Sequence, residues 1–437
     1  MNGVAQMISV LAPLVRGLCI NAAAAPRIVI AGNGIASKNA LSIDLESAYK
    51  TDDAGGETFN EEAAAKALSE AYAAWEFETV PAGSGRSETV KKHPASIVLK
   101  RGENTLGGFW IDQDIDAVRR RREKGDDSFI EEFVSPESSA EVSHDQCSPL
   151  NTALPGLTSA ARSNVVKNRV AVVTGGAQGF GEQISLGLAA SGALVFIADI
   201  NLVGAKELAK KINGAQGKTA AIALKADVTN EESAKTLFDT IAKEAGGLDL
   251  CISNAGVLQA GSVMDQELES FKFTTDVNYV GYFVIAKYAS RLLRLQYLGA
   301  PRWKTDIIQI NSKSGLEGSD KNGAYAGSKF GGVGLTASFA LELVKYNIKV
   351  NSICPGNFFD GPLWSDPEKG LFVQYLKTGK VAGARTIADV RAYYEAKVPM
   401  KRGCEGPDVM RAIYYIVEQE YETGQAVPVT GGQVMLH

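Results

Sequence analysis

From residue 169 onward the chain alternates short apolar runs with longer stretches of helical amphipathic period. The runs are "RVAVVT" (169–174), "ALVFIAD" (193–199), "TAAIALKAD" (219–227), "LDLCISN" (248–254), "DIIQINS" (306–312), "IKVNSICPG" (348–356) and "AVPVTGG" (426–432). Strand-length runs separated by helical stretches specify right-handed βαβ units, which lay parallel strands side by side with helices on both faces. The pattern predicts a doubly wound α/β domain over 169–437.

Ahead of it the pattern weakens. "RIVIAGNG" (27–34) reads as a buried strand and turn, "NEEAAAKALSEAYAAW" (60–75) as a helix, and "ASIVLKRGENTLGGFWI" (95–111) as a hairpin with a glycine-rich bend. These elements predict a small α/β region of unknown role over 1–133. Residues 134–168 gather Ser, Pro and Asn with neither period, which predicts a linker. No internal repeat is visible.

Composition narrows the classes. A chain of 437 residues that is 45% hydrophobic is long enough for two domains with sizeable cores. With a net charge of −5, and with "RRRREK" (119–124) read as a solvated helix face, nucleic acid is not expected as a partner. The five cysteines are odd in number and lack CxxC spacing, so neither a disulfide framework nor a zinc site is expected, and a reducing compartment follows. The first apolar stretch has no basic region before it, and no uninterrupted apolar run reaches membrane-helix length. The expected location is the cytoplasm, with no membrane partner.

The first strand runs into "TGGAQGFGEQIS", where Gly175, Gly179 and Gly181 lead directly into a helix. Glycines at that junction let a pyrophosphate approach the backbone, where free N–H groups and the helix dipole favour an anion. The second strand ends at Asp199, 24 residues after Gly175, the place for an acid on the adenosine ribose. Neither Gln178 nor the segment after Asp199 supplies a cation for a 2′-phosphate, so NAD is expected rather than NADP.

Tyr325 and Lys329 stand four residues apart in "GAYAGSKF", on one face of a helix. A lysine ammonium near a phenol favours the phenolate, so this pair can exchange a proton with an alcohol without histidine or metal. Ser312, 13 residues before Tyr325, can hold the reacting oxygen, with Ser314 as its rival. "NAG" (254–256) ends the fourth strand, and Asn278 in the following helix offers an amide to bridge Lys329 to water.

Taken together, TGxxxGxG, NAG, Asn278, Ser312, YxxxK and "PG" (355–356) resemble the short-chain dehydrogenase/reductases over residues 165–437. The resemblance implies a Rossmann-type sheet of seven strands in order 3-2-1-4-5-6-7 and a catalytic tetrad of Asn278, Ser312, Tyr325 and Lys329. It implies cofactor contacts from Gly175, Gln178, Gly179, Phe180, Gly181, Asp199, Asp227, Val228, Asn254, Ala255, Gly256, Tyr325, Lys329, Pro355 and Gly356. It also implies a homodimer or homotetramer.

"IIQINSKSG", "KFGGVGLTASFALEL", "VPMKRGCEGPDV" and "TGQAVPVTGGQVM" are similar to the branch that oxidises sugar-alcohol phosphates, which implies conversion of sorbitol 6-phosphate to fructose 6-phosphate. A phosphorylated polyol needs cations, and Lys313, Lys321, Lys401 and Arg402 are the candidates near the long loop 357–400. Oxidation of another polyol or sugar is the alternative within the family. A silent NAD-binding redox-sensing scaffold is the alternative outside catalysis. In the N-terminal region "VIAGNGIAS" resembles a turn of zinc-dependent class II aldolases. Only His93 and His144 are at hand there, so a degenerate sugar-phosphate-binding or assembly module is expected and no metal site is.

Overall fold

The computed structural model of the chain describes residues 4–23, 28–32, 40–51, 57–74, 79–81, 89–94, 96–112, 114–125, 130–131, 164–377 and 379–435. The chain divides into two compact units. One comprises Met1–Gln146, Phe238–Asp249 and Ser290–Trp303, and the other Cys147–Leu237, Leu250–Ala289 and Lys304–His437.

The first unit contains α1 (Val4–Ala23), β1 (Ile28–Gly32), β2 (Leu41–Asp44), β3 (Tyr49–Thr51), β4 (Glu57–Phe59), α2 (Glu61–Ala73), β5 (Thr79–Pro81), β6 (Thr89–His93), β7 (Ser96–Arg101), β8 (Asn104–Asp112), α3 (Ile115–Lys124) and β9 (Ile130–Glu131). A sheet of order β1-β8-β7-β2 carries β8 antiparallel to both neighbours and β2 parallel to β7. Alternate strand residues such as Val29, Ile43, Leu99 and Phe109 share a core with Leu11 and Leu14 of α1 and Leu68 of α2. Asn60 starts α2 by accepting from the Ala63 amide at 2.9 Å, and Gly102 turns the β7–β8 hairpin at φ 55°. The strand, helix and hairpin expected at 27–34, 60–75 and 95–111 are thus β1, α2 and β7–β8. The aldolase-like turn beyond Gly32, His144, and the linker before residue 164 lie outside the described residues.

This unit extends past the 1–133 region expected from composition, and the physical reason is a buried polar cluster. Arg16 of α1 is 0% exposed and pairs with the equally buried Asp249 at 2.7 Å. Trp303 Nε1 donates to the same carboxylate at 2.9 Å, and Arg16 also donates to Gln296. Around it the backbones touch: Gly246, at φ 80°, lies where a side chain would strike Val29. The basic run of α3 is partly neutralised, Arg119 by Glu244 at 2.9 Å and Arg121 by Asp112 at 3.1 Å.

The second unit and the helices that lead into it contain β10 (Val170–Thr174), α4 (Gly179–Ala190), β11 (Leu194–Asp199), α5 (Leu202–Gln216), β12 (Ala221–Lys225), α6 (Glu231–Ala245), β13 (Leu250–Ser253), α7 (Leu268–Thr275), α8 (Gly281–Gly299), β14 (Thr305–Ile310), α9 (Gly323–Leu343), β15 (Ile348–Pro355), α10 (Pro362–Ser365), α11 (Leu371–Lys377), α12 (Ile387–Ala396), α13 (Gly406–Glu418) and β16 (Ala426–Val429). All seven strands are parallel, in the order β12-β11-β10-β13-β14-β15-β16. That is the expected order 3-2-1-4-5-6-7 of a doubly wound sheet. Every residue of β10, β11, β13, β14 and β15 is buried, as strands covered on both faces must be. Ile184 of α4, Ile212 of α5 and Met410 and Ile413 of α13 belong to the core on one face.

The segment expected as a long loop after Pro355-Gly356 differs from that expectation. It folds into α10, α11 and α12 around an aromatic core of Phe359, Trp364, Phe372 and Tyr375 with Val390 and Val398. Enough aromatic area is gathered there to hold short helices that would not stand alone in water.

Candidate active site

The site lies at the carboxyl ends of β10, β13, β14 and β15. β10 and β13 are neighbours from which the chain winds away in opposite senses, the position where such sheets open a crevice. Their loops are locked together. Thr174 Oγ1 accepts from the amides of Asn254 (3.0 Å) and Ala255 (3.2 Å), while Asn254 Nδ2 donates to the carbonyls of Thr174 and Gly175 at 3.0 Å each. Gly175, at φ 59°, leaves no room for a Cβ, which would stand 2.8 Å from Ala255 Cα.

These residues fit a dinucleotide. Gly179 faces open space as far as Pro362 Cδ at 3.9 Å from an ideal Cβ, and Gln178 makes no side-chain cap, so the first amides of α4 stay available to an anion. Phe180 stacks on Phe358 at 4.6 Å beside this cradle. Asp199, 7% exposed at the end of β11, accepts from Ala177 N at 3.0 Å and Asn201 N at 2.8 Å, which ties this carboxylate to the glycine loop. Asp227 accepts from Thr229 N (2.9 Å) and Thr229 Oγ1 (2.7 Å) to shape the turn after β12, and Val228 is buried against Gly281. Gly356 N donates to Val429 O at 2.9 Å, fixing the turn after Pro355.

Ser312 leaves β14 with its backbone N–H donating to Asn311 Oδ1 at 2.8 Å and its Oγ accepting from Ser314 N at 3.1 Å. Tyr325, on the first turn of α9, stands near enough to Ser312 for that hydroxyl to favour its phenolate. The rival Ser314 therefore serves the turn, and Ser312 faces the tyrosine. Lys329, one turn on and 4% exposed, donates from Nζ to Ile310 O at 3.1 Å, with Nζ 5.7 Å from the Tyr325 ring centroid. Asn278 sits in a π-helical turn, Asp276–Val280, between α7 and α8. Such a turn holds one residue more than an α-turn and re-aims side chains. Asn278 Oδ1 accepts from Val257 N at 2.8 Å, and its Nδ2 donates to Val257 O at 2.9 Å and Ser328 Oγ at 3.2 Å. Gly256 fills the gap between Asn278 and Lys329: an ideal Cβ would lie 3.2 Å from Asn278 Oδ1 and 3.5 Å from Lys329 Nζ.

Burial sets the electrostatics. It pushes the Tyr325 phenol up, against a smaller lowering from Ser312, and pushes the Lys329 ammonium down to about 8. In the protein alone burial is the leading influence on the phenol, and Ser312 is the group that opposes it.

Two residues escaped the sequence reading. Cys354 lies buried beside the Ser312 amide, its thiol pushed up to about 12 by burial. Asn311 holds Ser312 through Oδ1 and donates from Nδ2 to Lys329 O at 2.9 Å and to Gln309 Oε1 at 2.8 Å. The signal was present as polar Gln309 and Asn311 at alternate positions in and just after the largely apolar β14 run.

The cation candidates separate. Lys313 pairs with Glu317 at 2.7 Å, and Arg402 forks onto Asp408 at 2.6 and 3.0 Å. Lys401 donates to Ala396 O at 2.8 Å, while Lys321 stands ahead of α9 with φ 54°.

Comparison with known proteins agrees with this arrangement. The family profile described as short chain dehydrogenase matches residues 169–364. Sorbitol-6-phosphate 2-dehydrogenase of Escherichia coli (strain K12) is 39% identical over 270 residues, which cover 61% of this chain and 99% of that protein. Trans-4-hydroxycyclohexanecarboxylate dehydrogenase of Sinomonas cyclohexanicum is 30% identical over 280 residues, covering 62% of this chain and 95% of that one. The crystal structure of sorbitol-6-phosphate 2-dehydrogenase from Erwinia amylovora aligns with a TM-score of 0.56 at 39% identity, over 61% of this chain and 100% of that chain. The N-terminal region lies outside the match. With these relatives spanned almost end to end, the chain belongs to the short-chain dehydrogenase/reductase family.

Proposed function

We propose that the chain is an NAD-dependent dehydrogenase of a sugar-alcohol phosphate, converting sorbitol 6-phosphate to fructose 6-phosphate. The observation that carries the reading is Ser312 beside Tyr325, with Lys329 one helical turn away and Asn278 across Gly256. The likeness at 39% identity to proteins named for that substrate supports the choice of polyol.

Gly175–Gly181, Asp199 and Lys329 would hold a nicotinamide dinucleotide, which when bound would accept the hydride from the alcohol carbon. Tyr325 Oη, as phenolate, takes the hydroxyl proton of the substrate. Ser312 Oγ hydrogen-bonds the same oxygen and keeps it within reach of the phenol. Lys329 stabilises the phenolate when charged. Asn278 fixes the Val257 peptide and so the polar wall beside the lysine. Asp199 supports NAD over NADP, since a carboxylate at the end of β11 repels a 2′-phosphate.

The test is the absorbance of NADH formed from NAD with sorbitol 6-phosphate, sorbitol and a panel of other polyols. Turnover of sorbitol 6-phosphate in preference to sorbitol is expected. Equal use of both would reduce the reading to a polyol dehydrogenase, and no NADH from any of them would overturn it in favour of a non-catalytic NAD-binding scaffold.

A further inference from the structure

We infer that Lys321, Lys380 and Lys397, gathered on the α10–α12 lobe beside the N-terminus of α9, form the site that binds the phosphate of the substrate. The inference rests on the reading of the substrate as a polyol phosphate and assigns its anionic end to residues that sequence motifs did not single out together.

Lys313 and Arg402, the candidates with the best motif positions, are already committed to Glu317 and Asp408. A different set converges on the aromatic lobe. Lys380 Nζ lies 4.1 Å from the Tyr375 ring centroid, and Lys397 Nζ lies 4.3 Å from that of Tyr393 and 5.5 Å from that of Tyr394. The rings are contiguous, Tyr375 to Tyr394 at 5.4 Å and Tyr394 to Tyr393 at 5.3 Å, so one aromatic floor orients both ammonium groups. Lys321 completes the set: it and Lys397 both act on the charge of Lys380, with Asp320 as the carboxylate in that field. Burial is the leading influence that lowers the Lys380 ammonium; Asp320 opposes it, and Lys321 and Lys397 add smaller lowering. Among the described residues none of the three lysines has a carboxylate at ion-pair distance.

The cluster is tied to the catalytic centre by the backbone. Leu258, next to the Val257 peptide that Asn278 grips, packs into the lobe core, and three residues on Gly261 N donates to Lys321 O at 2.8 Å. Gly261 also bridges Asn322, the residue before α9. Tyr325 is four residues beyond Lys321, which keeps their Cα atoms within at most about 14 Å of each other. That offset suits a substrate whose reacting carbon and phosphate lie several carbons apart. Lys321 holds a left-handed φ of 54°, a conformation few lysines adopt. Three ammonium groups against a single carboxylate repel one another until a dianion enters, and a phosphate monoester supplies both the charge and the acceptor oxygens. Lysines, as mobile point charges, can close on it from different elements.

The test compares kcat/KM for sorbitol 6-phosphate and for sorbitol, with NAD, in the full-length wild type, Lys380→Met, Lys397→Met and the double variant, with NADH binding as the check on folding. The ratio of the two efficiencies should fall about tenfold per lysine and about a hundredfold in the double variant. A wild-type preference for the phosphorylated substrate that survives in a double variant still binding NADH overturns this site and leaves the proposed function standing. No wild-type preference removes the phosphate from both. A measurement independent of variants and turnover uses wild-type protein alone: inorganic phosphate should protect Lys321, Lys380 and Lys397 from acylation in a mass-spectrometric footprint. Equal labelling with and without phosphate overturns the assignment.

Discussion

Replacing Lys329 by methionine is expected to stabilise the protein near neutral pH while removing its activity. In the folded chain burial lowers this ammonium from 10.5 to about 8. One pH unit between the folded and unfolded titrations corresponds to about 1.4 kcal/mol, so holding the charged form in the fold costs about 3 kcal/mol. Below the folded value the lysine is protonated in both states, and the whole cost is present. As pH rises from about 8 toward 10.5, the folded state sheds its proton while the unfolded chain keeps it, and the wild type gains stability. Methionine fills most of the same volume without the charge, but forfeits the 3.1 Å bond from Nζ to Ile310 O, a loss of about 1 kcal/mol. The net gain near pH 7 is about 2 kcal/mol, roughly 5 °C in midpoint for a domain of this size. Thermal unfolding of both full-length proteins near pH 7 and near pH 10 reads it, and the gap should close at the higher pH. A variant less stable than wild type near neutrality, or a gap that ignores pH, would refute the claim that charge burial dominates at Lys329.

Three other outcomes follow from the same geometry. Tyr325→Phe keeps the ring and loses the proton-accepting oxygen, so turnover should fall at least about 10²-fold with NADH affinity nearly intact, and activity retained within about tenfold would remove Tyr325 from the acid–base role. Asp199→Ala should raise the efficiency with NADP relative to NAD, and an unchanged ratio in steady-state assays would show that the carboxylate serves only the Ala177 and Asn201 amides. Arg16→Met strips Asp249 of its buried cation at a cost of about 3–5 kcal/mol, readable as a lower unfolding midpoint; a midpoint equal to wild type would mean the pair contributes nothing.

The sheet was legible because each buried strand is a largely apolar run and each connection carries a helical period. Strand order came with the glycine loop and the tyrosine–lysine pair, whose spacing in sequence is their spacing on α9. What escaped depends on partners distant in the chain. α1 reads as a bare apolar stretch, and nothing local to Arg16 shows that it is buried against Asp249. The lysines over Tyr375, Tyr393 and Tyr394 looked like solvated charge in a loop, because nothing in a one-dimensional pattern tells an aromatic residue in a loop from one that roofs a core. Arg402 looked free for phosphate for the same reason, although Asp408 stands six residues away.

The Arg16–Asp249 pair also bears on how this protein can be dissected. Homology assigns Asp249, Gln296 and Trp303 to the dehydrogenase, since all three fall within 169–364, whereas packing assigns them to the unit that begins with α1. A fragment begun near residue 165 would look complete by alignment yet inherit Asp249 without its guanidinium, and glycine surfaces at Gly246 and Gly299 shaped for a chain no longer there. Poor behaviour of such a fragment would measure an orphaned charge. It would say nothing about whether the N-terminal region regulates the enzyme, and point substitutions in the intact polypeptide are the experiments able to address that.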